Sequence, residues 1–247
     1  MNENFDEFDK YALKYDLTEK MIEYKYNHSY RVVHQAEEIC RSINTDTVER
    51  DLASNIALLH DIARFRQWTE YKTFNDAESF DHGEEGCKIL FDEGEIQNYN
   101  IDKDDYEIVK KAIYNHNKFN LDFSKLTQRE ALHCKIVRDA DKIDILYAFS
   151  TNRLLELKED DSEINPVIKE DFFEHKETLN KEIKSKNDRI ISMMALCFDL
   201  NYDYSKERVY REDYIGKMYK HLKNKKLFKP YVDEVKKYLK GEIKDVR

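Results

Sequence analysis

Apolar side chains recur along this chain at intervals of three and four rather than two, the period of helices that bury one face. Phe5, Phe8, Tyr11, Ala12 and Tyr15, followed by Met21 and Ile22, predict one or two short helices over residues 5–24. Val32, Val33, Ala36, Ile39, Cys40 and Ile43 predict a helix over 26–43 with His28 at its N-terminal end. Thr45-Asp46-Thr47 offers a cap for a helix over 48–63 that carries Leu52, Ile56 and Leu59. Residues 68–80 have no clean period and read as a loop, after which Asp81 can cap a segment containing Cys87, Ile89, Leu90 and Phe91. A turn-rich linker at 94–101 precedes a helix over 102–116, with Tyr106, Val109, Ala112 and Ile113 on one face. From Thr127 another stripe runs through Leu132, Ile136, Val137, Ala140, Ile143 and Leu146. A charged break at 158–165 ends at Pro166, a good first helical residue. Ile168 and Phe172, Ile190 to Phe198, Tyr214 to Leu222, and Val232 to Leu239 then continue the helical spacing as core stripes.

Composition sharpens this to an all-α expectation. Five Gly and two Pro in 247 residues are too few for the turns of a hairpin-rich fold. The 40% hydrophobic content suffices for a core, and a single domain over 1–247 is expected, with helices of 166–247 packed on the preceding ones. A net charge of −9 argues against a surface for duplex nucleic acid. Cys40, Cys87, Cys134 and Cys197 lie far apart in apolar helical patterns and read as buried, reduced thiols. The N-terminus is acidic without an apolar run, and no stretch of about 20 apolar residues is present, so a cytoplasmic protein without a membrane span is expected. A homo-oligomer is compatible with this composition.

The chemistry centres on Leu58-Leu59-His60-Asp61-Ile62-Ala63-Arg64-Phe65, an adjacent His and Asp in an apolar helical context. Neighbouring side chains on a helix diverge by about 100°, so both reach one ion only where the helix faces a cavity that supplies further ligands. Imidazole and carboxylate together suit Mn, Fe, Ni, Co or Zn, with Mg also compatible. Candidate partners are His28-Ser29-Tyr30-Arg31 upstream, and Asp81-His82-Gly83, Asn115-His116-Asn117 and Asp139-Ala140-Asp141-Lys142 downstream. His34, six residues after His28, competes as the upstream ligand and lies on a rotated face.

This ordered set resembles the HD superfamily of metal-dependent phosphohydrolases over roughly residues 20–150. The resemblance implies an HD-domain helical bundle in which His28, His60, Asp61 and Asp141 bind one ion. It also implies that His82 and His116 hold a second ion, or contact phosphate directly. The activity implied is hydrolysis of a phosphomonoester or phosphodiester in a nucleotide or other small phosphorylated metabolite, with Asp61 at the reacting centre. Two alternatives belong to the same superfamily: a di-iron oxygenase and a nucleotide-sensing module without turnover. Arg31, Arg64 and Lys142 are the cations available to a phosphate. Each has a plain structural reading beside it: a salt bridge for Arg31, a helix C-terminal charge for Arg64, and local charge balance between Asp141 and Asp144 for Lys142. No Walker loop, dinucleotide turn or nucleophile elbow is present, which leaves activation to the metal.

Overall fold

The computed structural model describes residues 3–119, 121–151 and 158–242. Helices α1 (Glu3–Ala12), α2 (Lys20–Ser42), α3 (Thr47–Leu59), α4 (Ala63–Tyr71), α5 (His82–Cys87), α6 (Tyr106–Asn115) and α7 (Gln128–Thr151) come first in the chain. They are followed by α8 (Pro166–Phe173), α9 (Lys186–Ala195), α10 (Asp203–Arg211), α11 (Tyr214–His221) and α12 (Lys225–Leu239). No strand occurs among the described residues, so the fold is all-α. By its contacts the chain divides into two compact units, residues 1–141 and 142–247, and the division falls inside α7.

In the first unit the densest helix pairing is α2 on α3. Val32, Ala36, Ile39, Ile56, Leu58, Leu59, Ile62, Val109, Ile113 and Ala140 are all buried. Phe8 of α1 packs edge-on against Phe65 and Tyr30, with ring centroids 5.9 Å apart in each pair. The expected caps form where their chemistry predicts: Asp46 accepts from the Glu49 amide at 2.9 Å, and Asp81 from the Gly83 and Glu84 amides at 3.0 and 3.1 Å. In the second unit Phe172 meets Phe198 and Tyr231, each at 5.0 Å between ring centroids. Asn165 caps α8 with Pro166 at its first position, and Ser185 and Asp188 close a reciprocal capping box on α9.

Three boundaries differ from the expected ones. Helix α2 begins at Lys20, so His28 lies in its third turn on the buried face, because Ile22 and Lys25 already continue that face. The loop expected from residue 68 begins after Tyr71, where Lys72 adopts a left-handed conformation and ends α4. The helix expected through residue 63 stops at Leu59, and the His60-Asp61-Ile62 turn joins α3 to α4. There the amides of Ile62 and Arg64 bond to the carbonyls three residues back, at 3.1 and 2.9 Å. A side chain contributes to the break: His60 Nδ1 is 2.7 Å from the Ala57 carbonyl, which a continuous helix would offer to the Asp61 amide.

Candidate metal centre

Six side chains from five segments of the first unit converge. His28 comes from α2, His60 and Asp61 from the α3–α4 turn, His82 from the start of α5, His116 from the end of α6 and Asp141 from α7. His28, His60, Asp61, His82 and His116 are all buried, and the Asp141 side chain retains 15% exposure.

Three of the rings are oriented through Nδ1. His60 Nδ1 donates to the Ala57 carbonyl, and His116 Nδ1 donates in the same way to the Ile113 carbonyl at 2.6 Å. His82 Nδ1 is 2.5 Å from Asp76 Oδ2. Burial alone would raise the Asp76 carboxyl, but His82 and Arg64 hold it well below the usual range, so it accepts the His82 proton. Each Nε2 is thereby left with its lone pair, as a metal ligand requires. Burial depresses His116 and takes His82 down to about 4, with the Arg64 charge adding to the shift, so both rings are neutral.

The Asp61 carboxylate divides these donors into two sets. Its Oδ2 lies 3.4 Å from His28 Nε2 and 3.5 Å from His60 Nε2, while Asp141 Oδ1 lies 3.1 and 3.7 Å from the same two nitrogens. Its Oδ1 lies 3.6 Å from both His82 Nε2 and His116 Nε2, which are 3.0 Å from each other. Donors held about 2.1 Å from a common ion sit about 3.0 Å apart at right angles and about 3.4 Å apart in a tetrahedron. Both sets have nearly that spacing. His60 Nε2 and Asp141 Oδ1 are buried and make no hydrogen bond among the described residues, and a cation shared between them would satisfy both. The two imidazole lone pairs that face each other at 3.0 Å are answered on the His82 side by Arg64 Nη2, and a cation between them would serve both rings. The donor set fits divalent transition ions.

Burial would raise Asp61, but the Lys25 ammonium above all holds it well below the usual carboxylate range, so it is anionic in the neutral range. Asp141 too lies well below that range.

Arg64 flanks this set, with Nε 3.4 Å from Asp61 Oδ1 and Nη2 3.1 Å from His82 Nε2. Its Nη1 is taken by Asp76 at 3.0 Å, the Phe74 carbonyl at 2.9 Å and Gln67 at 2.5 Å. Arg64 thus ties the 72–81 loop to the centre. Arg31 is half-buried, with its guanidinium 5.7 Å from the centre of the Tyr24 ring, which stacks on His28. Lys142 belongs to the second unit and pairs there with Asp199 at 2.7 Å and Glu177 at 3.8 Å. His34 is exposed.

Two residues at the centre carry no distinguishing mark in the sequence. Lys25 places its ammonium 2.5 Å from Asp61 Oδ2. Its only signal is a position three residues before His28, hence on the same helical face. Asp76 orients His82 from a loop without periodicity, and nothing in the sequence sets it apart from its polar neighbours. Behind His116, the buried Arg138 of α7 donates to the carbonyls of Asn115, His116 and Lys118 at 2.8, 3.2 and 2.6 Å, which fixes the end of α6.

Residues 26–146 match the family model of the HD domain. This part of the chain is an HD domain, and its His/Asp cluster is compatible with the divalent metal binding of a superfamily composed mostly of metal-dependent phosphohydrolases. No curated protein and no solved structure matches it.

Proposed function

We propose that this protein hydrolyses phosphoesters of a nucleotide or another small phosphorylated metabolite at a centre for two divalent ions. The observation that carries the reading is the division of Asp61, whose two oxygens each face a separate pair of imidazoles. His28, His60, Asp141 and Asp61 Oδ2 would hold one ion, and His82, His116 and Asp61 Oδ1 the other. Such ions polarise a phosphoryl oxygen and make bound water acidic enough to act near neutral pH.

The remaining work falls to the chain itself. Buried Leu58, Leu59, Ile62 and Ile113 form apolar surroundings that strengthen the electrostatics of the carboxylates and imidazoles. Asp76 and the carbonyls of Ala57 and Ile113 keep three rings in the ligand tautomer. Arg64 and Lys25 place two positive charges beside Asp61, one at each carboxylate oxygen, which an anionic substrate would meet. Lys142 is not assigned a role, since Asp199 and Glu177 already engage it.

The test is metal analysis of the purified protein coupled to a panel of phosphomonoesters and phosphodiesters, run without oxygen. The expected result is phosphate or phosphomonoester release that stops on chelation and returns with a divalent ion. Dioxygen consumption with substrate loss and no hydrolysis, or tight binding of a nucleotide that stays intact, would overturn it.

A further inference from the structure

Lys25 is almost wholly buried, at 8% exposure, one helical turn before His28. Burying an ammonium is costly unless an anion answers it. Here the anion is Asp61 Oδ2, at 2.5 Å, the oxygen that also faces His28 and His60. Lys25 therefore shares a carboxylate already committed to the first ligand set. The ammonium also lies 5.4 Å from the Phe74 ring centre and 5.8 Å from that of Tyr24, both half-buried, and the Arg64 guanidinium stands 5.5 Å from the same Phe74 ring. Two cations thus flank one carboxylate behind an aromatic side chain.

The charges fix the consequence. Asp61, Asp76 and Asp141 carry three negative charges against the two positive charges of Lys25 and Arg64. One divalent ion turns that deficit into a net charge of +1, and a second makes it +3. A loaded centre would attract an anion, and an ammonium that shares its carboxylate with the ion would have a donor to offer it.

We propose that Lys25 is a substrate-binding residue of this centre, donating to an anionic oxygen of the phosphoryl group beside the ion held by His28, His60 and Asp141. The inference rests on the metal-centre reading above and adds to it the residue that receives the anion. The same geometry makes Lys25 an electrostatic competitor of the ion for Asp61. Its removal therefore acts in opposite directions on cation and anion, whereas a residue that merely buttresses Asp61 would weaken both.

The experiment uses the full chain and two probes. Mn2+ is titrated calorimetrically into metal-free wild type, Lys25→Met and Lys25→Arg, and inorganic phosphate is then titrated into each Mn2+-saturated protein. Lys25→Met should bind Mn2+ at least as tightly as wild type and bind phosphate roughly 10- to 100-fold more weakly, the range for losing a hydrogen bond to a charged group. Lys25→Arg should retain most of the phosphate affinity. Lys25→Gln is one atom shorter but keeps an uncharged donor toward Asp61, and it carries the same expectations as Met should the Met variant fail to fold. Loss of Mn2+ binding in the neutral variants, or undiminished phosphate affinity in them, would overturn the inference alone. Absence of Mn2+ binding by wild type would overturn the metal-centre reading and this inference with it.

Discussion

At Asp61 the two carboxylate oxygens have different neighbours, and that difference separates the roles of the residues around it. Asp76 matters for one side only, because among the described residues the imidazole it meets is His82, at 2.5 Å. Asp76→Asn should weaken the ion on the His82 and His116 side by roughly 10- to 100-fold, the usual cost of losing a carboxylate behind a ligating histidine. The ion on the His28 and His60 side should remain. Equilibrium dialysis against Mn2+ checks this as one weakened class of site beside one unchanged class. The six convergent residues were legible in the sequence because their ordered spacing resembles a family pattern. Lys25 and Asp76 were not, because Lys and Asp are ordinary surface residues and only a through-space distance distinguishes these two. Lys142 was marked by its place after Asp141, and its carboxylate partners Glu177 and Asp199 lie too far along the chain for sequence to pair them with it.

Among the elements, periodicity located the helices well but placed the dyad inside one of them. The apolar run Leu58, Leu59, Ile62, Ala63 continues through the break, and His60 and Ile62 keep right-handed helical dihedrals, so neither polarity nor composition marks it. What marks it is a ring donating to a carbonyl three residues back, and His116 repeats the device at the end of α6. The approach of α5 to α6 depends on Gly83. A Cβ there would lie 2.7 Å from Asn117 Oδ1, 3.0 Å from the Tyr114 carbonyl and 3.1 Å from the Ile113 carbonyl. Gly83→Val should cost about 1–3 kcal/mol by overpacking and, by moving His82 off His116, lower metal content toward one ion per chain. Thermal melts with metal analysis read both effects.

The pairing of α3 with α7 carries a pH dependence. His133 Nε2 donates to Glu49 Oε2 at 2.6 Å, and Arg129 Nε donates to Oε1 at 2.7 Å. Burial would raise Glu49, but these two partners lower it, while burial lowers His133 more than Glu49 raises it. Both folded values lie below the unfolded ones, so acid favours the unfolded chain. The stability these groups contribute is present above about pH 6.5 and declines as pH falls through the folded values. Glu49→Gln should lower stability by about 1–3 kcal/mol at pH 7, and the gap from wild type should shrink below about pH 4. Urea melts across that range measure it.

On the scale of the whole molecule, each of the two units has its own core, and all four cysteines are buried. Burial raises every one of these thiols, Cys87 to about 11, so none should react with an alkylating reagent in the native protein and all four should react in denaturant. A mass shift on the native chain would contradict the packing. The all-helical fold was legible because scarce Gly and Pro and a period near 3.6 act along the whole chain. The division inside α7 was not, because the stripe from Leu132 to Leu146 runs through it without a break in pattern. The most direct test of the Asp61-bridged centre is the number of ions per chain in wild type and His116→Ala, prepared with matched metal supply. Two ions in wild type falling to about one in the variant is the expected result, and one tightly bound ion in both proteins would contradict it.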